Sequence, residues 1–440
     1  MFQTLPGFRE FYPQEFARKS AVFAGWRKCA QNFGFLEFEP PVLEQLELFT
    51  EKSGEEIKSQ LFEFVDKGGR SVALRPEMTP SLARMVGSKA GGIRKPVKWF
   101  AIGENYRYER QQKGRLRAFY QFNADILGEE SVAADAEIIS LLIESLRVFG
   151  LTADEFKLRL GDRTLWVLFM EALGVPENLI VKALSAVDKI EKVKPEAFIE
   201  IMSEALCGSD LNAESIADAC KKFVAVKSVE GVKNAFAELT VSSELSAKVD
   251  TRLAEWNELL VLLGNTGVGD FISVDMGIVR GLAYYTGFVF EAFQTLGTGR
   301  ALAGGGRYDS LVKKFGYPDM HAVGFGMGDV TVGDLLELAG KLPEQDNAPV
   351  AYAIIGNESL RAKAMGLVFG LRRSGITTDY ALKAANFGKQ FKAADACGAK
   401  FALIFGDDEN AQGNVKIKNL KSGEESFVKY ENLSAFFNAL

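Results

Sequence analysis

The chain has 440 residues, 47% of them hydrophobic and 25% charged, with 52 basic against 58 acidic side chains and a net charge of −6. That length predicts two or three domains, and the charge balance excludes a protein that coats nucleic acid indiscriminately while allowing one that grips it locally. A single histidine, His321, excludes a His-rich metal site and leaves little for a His-based triad, and no run of about 18 apolar residues is present to span a membrane.

The opening MFQTLPGFREFYPQ lacks the basic and apolar regions of a secretory signal. A helix is predicted over FYPQEFARKSAVFAGWRKCAQNFGF, where Phe16, Val22, Phe23, Trp26 and Cys29 recur near helical spacing and Gly34 closes the run. Paired prolines in FEPPVLEQLELF force an extended entry. LFEFVD and RSVALRP alternate around KGG as a hairpin, and PSLARMVGSKA reads as a helix opened by Pro80. KWFAIGENYRYER and AFYQFNADILG form a second, larger hairpin, joined by a loop with five Lys and Arg from Arg107 to Arg117. In its second strand Tyr120, Phe122, Ala124 and Ile126 point one way and Gln121, Asn123 and Asp125 the other. An apolar face backed by amides and a carboxylate predicts the floor of a polar pocket, and the basic loop predicts a mouth for an anion. SVAADAEIISLLIESLRVFG is an amphipathic helix with an acidic first turn.

Residues 1–161 thus read as the first part of a mixed domain. From 162 to 265 the patterns are helical, as in LWVLFMEALG and LAEWNELLVLLG, which predicts a helical insertion. Strands return over 266–340 in FISVDMGIVRGLAYYTGFVFEAF and ALAGGGRYDSLVKKFG, followed by a polar linker at 341–349. Over 350–440, VAYAIIG, ESLRAKAMGLVFGLRRSG, ITTDYAL, NFGKQFKAADACGA and KFALIFG alternate β-α-β-α-β, the pattern of a small α/β domain. Cys29, Cys207, Cys220 and Cys397 contain no CxxC pair and predict free thiols in a reducing cytoplasm, with no metal site.

Several short segments carry chemistry. GFGMGD (324–329) places Asp329 where GxGxxG needs its third glycine, and no GxxxxGK[ST] is present, so neither dinucleotide fingerprint nor P-loop is expected. Glycines here and in GGGRYD instead let a strand pack close to a helix or a pocket. In RPEMT, Arg75 and Glu77 read as a surface pair, or Glu77 and Thr79 converge as acceptors for an ammonium group. Arg107 and Glu109 are two apart and share a strand face; with Arg115 they read either as solvated charges or, since the planar fork of Arg107 suits phosphate oxygens, as an anion site, and Lys113, Arg115 and Arg117 suit a larger polyanion. In MGIVRGLAYYTG, Tyr284 or Tyr285 packs inward, and Arg280 among small and aromatic neighbours calls for an anionic ligand.

RPEMT, ENYRYERQQKGRLRAFYQFNADILG, VRGLAYYTG, GGGRYDSLV and GFGMG, in that order and spacing, resemble the histidyl-tRNA synthetases, a class II family, across nearly the whole chain. The resemblance implies an α+β fold: an antiparallel sheet flanked by helices, a helical insertion, a C-terminal anticodon-binding α/β domain, and a homodimer. It implies ATP-dependent ligation of L-histidine to tRNA(His) through a histidyl-adenylate, in the cytoplasm and usually with Mg²⁺. Glu77, Thr79 and Gln121 would hold the α-amino group; Asp125 and Tyr285, with Tyr284 beside them, would contact the imidazole. Arg107 and Arg280 would grip the α-phosphate from two sides, and Glu109 and Arg115 would orient the adenine and outer phosphates. Three positions depart from the family: Asp125 for Glu, Ala283 for Asp, and Thr331 at the arginine of motif 3. Wording such as RGLAYYTG is similar to plant-organelle members. The alternative is a non-catalytic paralogue, either a regulatory subunit of ATP phosphoribosyltransferase or a tRNA or histidine sensor.

Overall fold

The structure is a computed structural model that describes residues 2–50, 58–109, 116–279, 284–297, 299–344 and 347–439. The chain separates into two compact units, Met1–Glu344 and Gln345–Leu440.

The larger unit is built on strands β1 (Leu36–Glu37), β2 (Leu43–Gln45), β3 (Phe62–Val65), β4 (Ser71–Leu74), β5 (Val97–Tyr106), β6 (Ala118–Leu127), β7 (Phe156–Asp162), β8 (Ile272–Val274), β9 (Phe288–Gln294), β10 (Ala301–Arg307) and β11 (Ala322–Gly328). Eight of them form one sheet in the order β1-β5-β6-β11-β10-β9-β7-β8, antiparallel except at its two ends, where β1 runs parallel to β5 and β8 to β7. The remaining three form a small antiparallel sheet, β2-β4-β3, whose hairpin turns at Gly69 with φ +80°.

One face of the large sheet is core. The helix Pro13–Asn32 starts at its proline and ends before Gly34, which takes φ +76°. It buries Val22, Trp26, Cys29 and Ala30, and Trp26 stacks on Phe122 of β6 at 5.6 Å. Phe122 in turn meets Phe100 and Phe325 edge-on. Each such ring, taken wholly from water, contributes about 1.5 to 3 kcal/mol. Phe16, placed in the same stripe by spacing, is 53% exposed and packs under Lys19 instead. The helix Val132–Arg147 packs on β6, β10 and β11 and buries Ile138, Ile139, Leu141, Leu142, Ile143 and Leu146.

Between β7 and β8 the chain is helical, in the segments Arg163–Ala172, Glu177–Val187, Pro195–Ala205, Ala213–Val224, Val229–Ala237 and Ser243–Asn265. Four of these starts carry side-chain caps: Asp162 accepts from the amides of Thr164 and Leu165, and Asn212, Ser228 and Ser242 cap three later helices. Phe169 and Phe223 stack at 4.1 Å and fasten two of these helices together.

The smaller unit holds β12 (Ala351–Ile355), β13 (Thr378–Tyr380), β14 (Phe401–Phe405), β15 (Asn414–Asn419) and β16 (Glu425–Lys429) in the order β13-β12-β14-β15-β16. The first three are parallel, as a β-α-β-α-β alternation requires, and β15 and β16 add an antiparallel hairpin at one edge. That hairpin is absent from the pattern reading: β15 buries only Val415 and Ile417 between polar residues, and β16 alternates exposed and half-buried residues with little apolar signal.

Candidate active site

The second face of the large sheet is nearly bare at its centre. Across it runs the row Asn123, Gly326, Gly304, Glu291, Arg159, one residue from each of β6, β11, β10, β9 and β7. A parallel row reads Asp125, Gly324, Gly306, Val289, Gly161. Gly324 is sterically required and Gly326 is tightly placed. A Cβ on Gly324 would lie 1.8 Å from Asp125 Oδ1, and one on Gly326 would lie 3.2 Å from Asn123 Nδ2. The result is a cleft of about 600 Å³.

Eight residues expected from the sequence line this cleft: Glu77, Thr79, Arg107, Glu109, Gln121, Asp125, Tyr284 and Tyr285. Arg280 and Arg115 lie outside the described residues. Glu77 and Asp125 are both buried, and each accepts from a tyrosine hydroxyl, Glu77 from Tyr284 at 2.9 Å and Asp125 from Tyr308 at 2.6 Å. Tyr285 and Tyr308 pack against Tyr284 at ring distances of 5.1 and 6.0 Å, making an aromatic wall beside the two acids. Burial pushes the Asp125 carboxyl up to about 7; the Tyr308 hydrogen bond opposes this and nearby Glu77 adds to it. Tyr308 itself is held well above its ordinary value, by burial and then by the adjacent Asp125. Gln121 is oriented by Asn105, whose Nδ2 donates to Gln121 Oε1 at 2.9 Å. Asn123 Oδ1 is buried and has no hydrogen-bond partner among the described residues.

Two expectations about the arginines are corrected. β5 stops at Tyr106, so Arg107 and Glu109 do not share a strand face; the amide of Glu109 folds back onto the Arg107 carbonyl at 2.8 Å. The ladder ends there because Gly7 of the N-terminal arm takes the amides of Arg117 and Ala118 at 3.0 and 3.1 Å. Arg107 nevertheless reaches the cleft, with Nε donating to the Pro76 carbonyl at 3.0 Å and the guanidinium over Phe119. Arg75 is not a surface partner of Glu77. It is 2% exposed and donates to the carbonyls of Pro40 and Glu104, in a space that Gly103 leaves open.

Motif 3 has its own local logic. β11 ends at Gly328, paired with Gln121, and the helix Asp329–Leu338 follows. The next amide of β6, Tyr120, would lack a ladder partner on that side; the Asp329 carboxylate accepts from it at 2.9 Å and from Arg9 Nη2 at 2.7 Å. Thr331, at the arginine position, is half-buried in the first turn of that helix.

The sequence reading missed Tyr308, Arg159 and Glu291. Tyr308 follows Arg307 in a segment read only for its glycines, and the other two face the cleft through a strand order that local periodicity does not encode. Among the described residues no three His, Cys, Asp or Glu side chains converge to hold a metal. Glu109 and Glu291 in the cleft are carboxylates of the kind that would complete the shell of a cation held mainly by phosphate oxygens.

A family model described as histidyl-tRNA synthetase matches residues 7–330, and one described as an anticodon binding domain matches residues 349–440. A protein named histidine–tRNA ligase from Opitutus terrae is 50% identical over 434 residues, covering 99% of this chain and 97% of its own length. The chloroplastic/mitochondrial histidine–tRNA ligase of Arabidopsis thaliana is 35% identical, over 97% of this chain and 85% of its own. The crystal structure of a histidyl-tRNA synthetase from Nostoc sp. superposes with a TM-score of 0.76 at 24% identity, covering 100% of this chain and 99% of that one, and so shares the fold. With a family match across most of the larger unit and half of all positions shared over nearly the full length, this chain belongs to the histidyl-tRNA synthetase family.

Proposed function

We propose that the protein ligates L-histidine to tRNA(His), consuming ATP. The histidine carboxylate attacks the α-phosphorus, pyrophosphate leaves, and the acyl group of histidyl-adenylate then passes to the 3′-terminal adenosine with release of AMP. One observation carries this reading: Glu77, Thr79, Gln121, Asp125, Tyr284, Tyr285 and Arg107, scattered over more than half the larger unit, line one cleft with a glycine floor. Two buried acids against three tyrosines suit a small cationic aromatic zwitterion, and an arginine beside them suits a phosphate.

In this reading Glu77, Thr79 and Gln121 take the α-amino group, and Asp125, steadied by Tyr308, reads the imidazole with Tyr284 and Tyr285 beside it. Arg107 and Arg280 stabilise charge on the α-phosphate, and Glu109 and Arg115 orient the adenine and outer phosphates. When bound, Mg²⁺ neutralises phosphate charge. The protein's share is positioning and electrostatics, with little proton transfer. The smaller unit binds the anticodon, in keeping with its family match. The protein works in the cytoplasm as a homodimer; exposed Leu36, Val42, Leu43, Phe64 and Val65, on or beside β1 to β4, offer the apolar surface for a second copy. Among the described residues no helix is long and apolar enough to cross a membrane.

Thr331 at the motif 3 arginine position is the observation that favours the second reading, a non-catalytic paralogue that regulates ATP phosphoribosyltransferase or senses tRNA or histidine. The test is histidine-dependent exchange of pyrophosphate into ATP. Exchange is expected with histidine alone among the amino acids; histidine binding without exchange would establish the second reading in its place.

A further inference from the structure

A charged cluster at the cleft edge ties the helical region to the segment that carries Arg280 in the sequence. Its centre is Asp275, 5% exposed, just after β8. Oδ2 accepts from Arg159 Nε, and Oδ1 accepts from Lys227 Nζ and, at 2.9 Å, from the amide of Gly277. Lys227 lies in the turn between the helices Ala213–Val224 and Val229–Ala237 and also reaches the carbonyl of Val224, which ends the first of them. From another part of the same helical region, Glu191 reaches Arg159 Nη2 at 3.5 Å.

The backbone is held at the same place. The amide of Met276 donates to the Val226 carbonyl at 3.3 Å, and Trp166 Nε1, wholly buried, donates to the Met276 carbonyl at 2.8 Å. Ile278 lies so close to β7 that a Cβ on Gly161 would come within 2.4 Å of its carbonyl oxygen. A Cβ on Gly277 would press on Asp275, Glu191 and Arg159 together, at 3.0 to 3.3 Å. Three separate points of the helical region, Trp166, Glu191 and Val226–Lys227, therefore converge on residues 275–277. The next residues, Ile278 and Val279, line the cleft, and so do Tyr284 and Tyr285 beyond them.

Solvated ion pairs hold little. Here the carboxylate is buried and its cations come from two different elements, so loss of one cation leaves the other pulling the carboxylate to a new position. Displacements of about 1 Å at a reacting group cost as much as a hundredfold in rate. We infer that Lys227 is a positioning residue for adenylation: it anchors Asp275, and through it residues 276–279 at the cleft edge, so that the helical region forms part of the machinery of the first half-reaction. This rests on the ligase reading above.

The experiment compares wild type, Lys227→Met and Lys227→Arg in histidine-dependent pyrophosphate exchange, with thermal unfolding alongside. Lys227→Met is expected to lower kcat at least tenfold while KM for histidine and ATP stays within about twofold and the melting temperature within a few degrees, and Lys227→Arg to restore most of the rate. An unchanged kcat in Lys227→Met, or an equal loss in Lys227→Arg, overturns the inference while the ligase reading stands. No exchange in the wild type overturns the ligase reading itself. Should Lys227→Met fail to fold, Glu191→Gln takes its place, with a loss of about threefold or more in kcat at constant KM expected and an unchanged kcat overturning the inference.

Discussion

Asp125 and Asp275 are both buried carboxylates on the cleft side of the same sheet, and their surroundings differ completely. Asp275 has two cations and an amide; burial pushes its carboxyl up, but the hydrogen bonds from Arg159 and Lys227 outweigh burial and hold it below the ordinary carboxylate value. Asp125 has the Tyr308 phenol, no cation bonded to it among the described residues, and a carboxyl near 7. A buried acid that the fold itself neutralises is a fastening. One that the fold leaves short of positive charge is kept for a ligand that brings it.

The contrast can be broken in several ways. The largest expected effect lies with the phosphate-binding arginines: Arg107→Ala and Arg280→Ala should each lower the rate of histidyl-adenylate formation by about a hundredfold with the fold intact, measured by pyrophosphate exchange and circular dichroism. Near-normal exchange in Arg280→Ala would mean its role is misassigned. Asp275→Asn should cost about 2 to 3 kcal/mol of unfolding free energy in a urea titration, because two cations lose their partner. Asp125→Asn should do the reverse, leaving stability at pH 8 unchanged or higher while raising KM for histidine at least tenfold and relaxing selectivity. Histidine selectivity that survives this change would show that the carboxylate does not read the imidazole.

A separate handle on the same contrast is the pH dependence of stability in the ligand-free protein. The folded-state value of Asp125 lies above its unfolded value, so the folded state binds the extra proton between the two. Its contribution to stability is therefore fully present below the ordinary carboxylate range and is lost as pH rises to about 7. Relative to wild type, Asp125→Asn should gain stability between pH 5 and pH 8. Parallel curves for the two proteins would show that Asp125 titrates normally.

Much of this was legible in the chain, and the rest was hidden for identifiable reasons. Period-two alternation separated Phe122 from Gln121, Asn123 and Asp125, since a strand offers its side chains only two directions. Arg75 was misread because the carbonyls that hold it belong to Pro40 and Glu104, 35 and 29 residues away. Arg107 was taken for a strand residue because nothing nearby in sequence says that Gly7 closes the ladder at Arg117. Tyr308 meets Asp125 across 183 residues, and only the order of strands in the sheet brings them together.

The bond between Arg9 and Asp329 spans 320 positions of sequence. During synthesis, the last rung of β6 has no occupant until the residues after β11 have been made, so the larger unit cannot complete its sheet from a partial chain. Contacts this distant are costly to close and form late. A chain truncated anywhere before residue 329 therefore leaves the Tyr120 amide without this acceptor and Arg9 without this carboxylate.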